Sequence, residues 1–194
     1  QSGSNSVSDI IQTGSDQEAT VSQSADANVS DINQAGLANE ATVTQSDDEN
    51  IITVDQDGED NDLTSTQSGA LNDFFVIQTG DANLVTSTQS GDGNEGNVSQ
   101  SGNVNFVVST QSGDGNVLNT DQIGDNNGIT NTQSGTDSVN NVSQTGLGNS
   151  VTASQSNDQN VSGDTQSGNA NSVTSTQSGN VSDSLVTQKG DSSR

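Results

Sequence analysis

The chain contains no cysteine, proline, histidine, methionine, tryptophan or tyrosine, and its only aromatic residues are Phe74, Phe75 and Phe106. Without cysteine there is no disulfide framework and no indication of redox compartment. Without histidine, cysteine or tyrosine, the abundant serines and aspartates have neither a base nor an orienting partner, so no catalytic constellation is expected and the chain reads as a non-enzyme. Hydrophobic residues make up only 24% of the sequence, too few for a conventional core at this length. Cations are almost absent: Lys189 and Arg194 stand against 26 carboxylates, for a net charge of −24. That balance excludes nucleic acid and anionic membrane surfaces as partners. The longest apolar clusters, Phe74 to Ile77 and Phe106 to Val108, fall far short of a membrane span. Gln1-Ser2-Gly3 has neither a charged n-region nor an apolar h-region, so an export signal is expected to be already removed or to lie outside these residues. Composition alone predicts disorder.

What is present overturns that reading. Glutamine recurs every eleven residues from Gln1, at Gln12, Gln23, Gln34, Gln45, Gln56, Gln67, Gln78, Gln89, Gln100, Gln111, Gln122, Gln133, Gln144, Gln155, Gln166 and Gln177, to Gln188. Two residues after each comes Gly, except at Ala25, Asp47 and Asn157, and five after it stands Asn28, Asn39, Asn50, Asn61, Asn72, Asn83, Asn94, Asn105, Asn116, Asn127, Asn149, Asn160 or Asn171 in thirteen of the eighteen units. A period held without insertion means that every unit makes the same contacts as the next. Polar residues become ordered in such an array because stacked copies satisfy one another's hydrogen bonds.

Eleven residues also fit three helical turns, but the segments between the Gln-x-Gly-x-x-Asn arcs are short and β-branched. Ile51-Ile52-Thr53-Val54, Leu84-Val85-Thr86 and Phe106-Val107-Val108 are examples. These are strand compositions, and a Gly in every unit would cost a helix about 1 kcal/mol each time. Alternate units carry Thr-x-Thr, as at Thr42-Val43-Thr44, Thr64-Ser65-Thr66, Thr86-Ser87-Thr88, Thr130-Asn131-Thr132 and Thr174-Ser175-Thr176, which sets the true period at twenty-two. The fold class is therefore all-β: a two-sheet β-solenoid whose strand-turn-strand rungs of 22 residues contain two 11-residue half-repeats and stack into a cross-β fibre. Residues 1–194 form a single array of nearly nine rungs, a rod about 42 Å long at roughly 4.8 Å per rung, with about 189–194 expected to fray. If each Gln points inward, so do the residues two, four and six before it. The inward pairs then read Ala41/Val43, Ile52/Val54, Phe74/Val76, Val107/Ser109 and Val173/Ser175. Asn131, Asn140 and Asp164 interrupt this pattern, so the last three rungs are expected to pack less well. The Gln and Asn positions are the candidate structural ladders, since a primary amide carries both donor and acceptor.

Asp26, Asp48, Asp92, Asp114 and Asp158 share one turn position on one edge, and Glu59, Asp81, Asp125 and Asp191 share it on the other. Oxygen-rich rows hold Ca²⁺ in some folds, which makes the first row a candidate calcium site and Ca²⁺ the one cofactor to consider. The preferred reading is a solvated edge that restrains sideways aggregation, because the turns lack the ligand pattern of calcium-binding β-rolls. Gly91-Asp92-Gly93-Asn94-Glu95-Gly96 matches a dinucleotide fingerprint, but the repeat already accounts for glycines there, no strand-helix unit follows, and its acids would repel phosphate.

The pattern Ser-x5-Gln-x-Gly-x2-Asn-x5-Gln resembles the repeat of curlins, the subunits of bacterial curli fibres. It is carried by Ser6, Gln12, Gly14, Gln17 and Gln23, and more cleanly by Asn72, Gln78, Gly80, Asn83 and Gln89. The resemblance spans essentially the whole chain. It implies a secreted functional amyloid that stacks end to end with copies of itself into extracellular fibres of a biofilm matrix. It further implies export through an outer-membrane secretion channel, a periplasmic chaperone and a nucleator subunit. The first and last rungs look like the middle ones, so each end is expected to offer an unpaired edge to another copy. A different class of function, ice binding, would use the outward Thr-x-Thr rows; however, Ser22, Val108 and Ser154 interrupt them, and ice gives no reason for the amide ladders.

Overall fold

The computed structural model describes residues 1–192 and consists of strands and turns stacked along one axis. Nine strands form one parallel sheet: β1 (Val7–Ser15), β3 (Val29–Leu37), β5 (Ile51–Glu59), β7 (Asp73–Thr79), β9 (Glu95–Ser101), β11 (Val117–Ile123), β13 (Val139–Thr145), β15 (Val161–Ser167) and β17 (Asp183–Lys189). Eight form the other: β2 (Glu18–Gln23), β4 (Glu40–Gln45), β6 (Asp62–Ser68), β8 (Leu84–Ser90), β10 (Phe106–Ser112), β12 (Gly128–Ser134), β14 (Ser150–Ser156) and β16 (Ser172–Gln177). Every strand pairs with its counterpart twenty-two residues away, as in Val54↔Val76 and Val76↔Val98 or Leu63↔Val85 and Val85↔Val107. The architecture is thus a two-sheet parallel β-solenoid, and no helix of the described residues is long and apolar enough to cross a membrane.

Alternation along each strand decides which side chains form the core. In β7, Phe74, Val76 and Gln78 are fully buried while Asp73 and Phe75 are exposed. The core is one continuous cluster from Ile32 and Ala41 to Val173, and each fully buried Val, Ile, Leu or Phe contributes about 1.5–3 kcal/mol. Size is matched between successive rungs. The Phe74 ring lies over Gly96, where an added Cβ would come within 2.5 Å of it, and the outward Phe106 ring lies over Gly128 at 2.3 Å by the same measure.

The glycine two places after each Gln has a steric reason. A Cβ on Gly80 would meet the Gly102 carbonyl oxygen at 2.2 Å, and Gly80 itself has φ +105°. Where the sequence departs from glycine, Ala25, Asp47 and Asn157 adopt φ of 70°, 66° and 69° instead, the left-handed well that L residues enter with least penalty.

In the C-terminal third the interrupting residues are accommodated inside: Asn131, Asn140 and Asp164 are each at most 1% exposed. Asn140 Nδ2 donates to Asn131 Oδ1 across the core. Of residues 189–194, Lys189 ends β17 and the N–H groups of Gly190 and Ser192 donate to the carbonyls of Ser167 (2.9 Å) and Asn169 (2.7 Å); residues 193–194 lie outside the described residues. At the first rung the inward Ile10 is 40% exposed and Gln12 is also exposed, because β1 is an outer strand of its sheet.

Candidate functional site

The repeating surface of this molecule is its set of ladders, built by the turns that join the two sheets. Each Gln from Gln23 to Gln177 faces inward towards the end of its strand, and with one exception its Nε2 donates to Oε1 of the Gln one rung further on, where there is one. On one edge the chain of bonds runs Gln12→Gln34 (2.8 Å), Gln34→Gln56 (2.7 Å), Gln56→Gln78 (2.8 Å), Gln78→Gln100 (3.1 Å), Gln100→Gln122 (2.9 Å), Gln122→Gln144 (2.9 Å) and Gln144→Gln166 (2.8 Å), ending on Gln188 at 3.0 Å. On the other it links Gln1, Gln23, Gln45, Gln67, Gln89 and Gln111, and then Gln133, Gln155 and Gln177. Between Gln111 and Gln133 the pattern changes, because Asn131 Nδ2 donates to Gln133 Oε1 (3.4 Å). The amide also ties the sheets together: Gln89 Nε2 donates to the carbonyls of Asp73 (3.1 Å) and Asn94 (3.2 Å).

The Asn ladder runs beside it in the opposite sense. Asn94 donates from both its main-chain N–H and Nδ2 to Asn72 Oδ1 (3.0 Å each), and its Nδ2 also reaches the Gly113 carbonyl one rung on (2.9 Å). Asn28, Asn50, Asn72, Asn94 and Asn116 follow this line on one edge, and Asn39, Asn61, Asn83, Asn105, Asn127, Asn149 and Asn171 on the other. Asn160 joins the first line through Ser138, whose hydroxyl accepts the Asn160 N–H (3.3 Å). All thirteen asparagines are buried.

Three further features of the turns carry structure that the period alone does not announce. The residue before each ladder Asn has positive φ throughout, from Ala27 (58°) through Leu71 (61°) and Val104 (59°) to Ala170 (54°), and Val181, before Ser182 at the same turn position, shares it (55°). Its N–H donates one rung back, as from Val104 to the Asp81 carbonyl (2.9 Å). Secondly, Ser follows every Gln of one edge, from Ser2 to Ser178, and its hydroxyl bonds the next Gln carbonyl, as Ser90 does to Gln111 (3.4 Å); this signal was readable in the sequence. Thirdly, the acidic rows are part of the bonding. Asp26, Asp48, Asp92, Asp114 and Asp158 each accept, at Oδ1, the N–H of Ser4, Asp26, Ala70, Asp92 and Thr136 respectively, at 2.6–3.1 Å. Asp81, Asp125 and Asp191 do so on the other edge, with Asn103 and Asn169 filling the same role. Among the described residues no three acidic side chains converge on a metal-sized position.

On the outer face of the eight-strand sheet, Thr20, Thr42, Thr64, Thr86, Thr130, Thr152 and Thr174 align in one column that includes Val108. Beside it run Thr44, Thr66, Thr88, Thr110, Thr132 and Thr176. The outer face of the nine-strand sheet holds a shallow groove between Phe75 and Leu185, floored by Asn97, Asn119, Asn141 and Gly163. Burial raises the pKa of Asp62 above the ordinary carboxylate value; Asp73 is raised likewise, by burial first and then by its neighbour Glu95.

Residues 14–46 match the family model described as the curlin associated repeat, a structural rather than an enzymatic family. No curated protein matches the chain significantly. The matched span holds Gly14, Gln23, Asn28, Gln34, Gly36, Asn39 and Gln45, and the ladders these residues begin continue in one register to Gln188. Over residues 14–46 the chain thus carries a curlin associated repeat.

Proposed function

We propose that this protein is the structural subunit of an extracellular, curli-like amyloid fibre that grows by end-to-end addition of copies and serves as biofilm matrix and adhesive. The observation that carries the reading is the identity of the pairing at every rung. β1 and β17 are the outer strands of the nine-strand sheet and bear the same ladder glutamines, Gln12 and Gln188. A second copy therefore pairs its β1 on β17 in the register already used inside the chain, extending both backbone and amide ladders. The family resemblance supplies the remaining partners of this proposal: a nucleator subunit, an outer-membrane secretion channel and a periplasmic chaperone.

Purified protein, incubated in moderate salt, is expected to form thin unbranched fibres with a reflection near 4.8 Å along the fibre axis. Electron microscopy and fibre diffraction check this, and protein that stays monomeric at high concentration overturns it. The threonine columns give the alternative, ice binding, its one supporting observation. Thermal hysteresis of the monomer tests it, and none is expected, because Val108 and the exposed Phe106 (41%) break the polar face and the amide ladders are left without a purpose.

A further inference from the structure

Asp164 is the one acidic side chain in the buried interior of the described residues. Its register partners in the same sheet are Val142 on β13 and Val186 on β17. Strand alternation sets Val151 of β14 and Val173 of β16 across from it, both buried. Oδ2 accepts a hydrogen bond from Ser162 Oγ at 3.3 Å, whereas the buried Oδ1 has no partner. From Ser162 a line of hydroxyls leads toward the last rung: Ser162 Oγ lies 3.3 Å from Ser175 Oγ, which donates to Ser184 Oγ at 3.4 Å, and Ser184 is half-buried. No titratable group faces Asp164 from any strand packed on it. β13, β14 and β16 carry none, and Asp183 and Lys189 of β17 stand on the outer face.

We propose that Asp164 is a pH latch for the last rungs: protonated, it seats in the valine column and closes β15–β17 on the stack, and ionised, it opens them. The chemistry follows from the surroundings. An ionised carboxylate with one weak hydrogen bond among valines is unfavourable, while the neutral acid needs only the partners present and gains a donor. Burial accordingly raises its pKa above the ordinary carboxylate value, the Ser162 bond opposing this in part. The sign is set by linkage. A folded-state pKa above the unfolded one means that folding takes up a proton, so the closed form is fully favoured below the unfolded value of 3.8 and loses that advantage as pH rises through the raised folded value. The hydroxyl line from Ser162 to Ser184 gives the proton a polar route to the open end.

On the fibre reading, the same latch sets how well the β17 edge templates the next copy; the latch itself stands whether or not fibres form. The test is hydrogen exchange on monomer under quiescent, dilute conditions, followed residue by residue from pH 7.5 to 4.5 and corrected for intrinsic rates. In the wild type, protection in β15–β17 is expected to rise on acidification, about tenfold for each unit by which the folded pKa exceeds the unfolded one, while β10 and β12, which carry no titratable group, change far less. Asp164→Asn is expected to remove that local rise. Asp164→Val, which continues the valine column, serves as a second variant and is expected to show acid-level protection already at pH 7.5. A wild-type profile in which β15–β17 change no more than β10 and β12 overturns the latch, as does an undiminished local rise in either variant. Failure of fibre growth with the exchange result intact would instead count against the assembly reading.

Discussion

Val104 and Val181 hold a β-branched side chain at φ +59° and +55°, a conformation that costs an L residue roughly 1–2 kcal/mol. They occupy a turn position that Gly93, Gly115 and Gly148 fill elsewhere. The stack imposes the conformation, because only there does the N–H of Val104 reach the Asp81 carbonyl. Val104→Gly is therefore expected to stabilise the chain by up to about 1 kcal/mol, the relief of strain exceeding the entropy that glycine loses on folding. Gly93→Val is the converse. Nothing lies within 4 Å of a Cβ built on Gly93, so a loss of about 1–2 kcal/mol there would isolate the backbone term. Urea midpoints read both, and equal stabilities in all three proteins would refute the strain. At the ladders the contrast is larger. Gln89→Ala removes the bonds that this side chain makes with the Gln67 and Gln111 amides and with the Asp73 and Asn94 carbonyls, at a cost of about 1–3 kcal/mol. The outward Thr86→Ala is expected to fall within about 0.5 kcal/mol of wild type, and equal costs would contradict the inward placement.

Between neighbouring strands the stack is a set of matched pairs, and Phe74 of β7 over Gly96 of β9 is a close one in the core. Gly96→Ala places a methyl where the ring already lies, and overpacking of this kind costs about 1–3 kcal/mol. Pairing it with Phe74→Leu, which vacates ring volume, is expected to recover part of that loss, giving a double-mutant coupling above about 0.5 kcal/mol. Additive losses would mean that the ring moves aside freely. Strand period, rung length and inward columns were legible in the sequence, since a two-residue alternation locked to Gln every eleven residues leaves one register. The left-handed residue before each Asn was not, because Ala27, Leu71, Val104 and Gln159 share no propensity for it. In the sequence the aspartate rows show as charge and not as hydrogen-bond acceptors. Their partner is the main-chain N–H at the same turn position one rung earlier, a relation visible only when rungs are stacked. Asn131 and Asn140 interrupt the apolar pattern of the sequence, and their bond across the core depends on which residues of the two sheets face each other.

Over the whole molecule, charge is the term that opposes stacking. Eighteen of the twenty-six carboxylates lie at or before Glu95 and the only two cations are Lys189 and Arg194, so the rod is strongly acidic in its first half and less so in its second. Addition of a copy brings −24 against a fibre of the same sign, with a repulsion that reaches about 30 Å at 0.01 M salt and about 10 Å at 0.1 M. Elongation is accordingly expected to be slow at low ionic strength and to accelerate with salt, as followed by light scattering on seeded protein. Acid acts in the same direction twice. It neutralises the exposed rows, and it relieves Asp62 and Asp73, whose pKa values burial raises. Because these folded values lie above the unfolded one, their ionised forms weaken the fold, and that loss sets in as pH climbs from 3.8 through the raised values. We propose that cations act on the Asp26 to Asp158 row by screening alone, since Oδ1 of each of these carboxylates already serves a backbone amide. Ca²⁺ and Mg²⁺ at equal ionic strength are then expected to speed elongation equally. An excess effect of Ca²⁺ that disappears in Asp92→Asn with Asp114→Asn would assign that row a true calcium site, and elongation indifferent to both salt and pH would remove charge from the control of assembly.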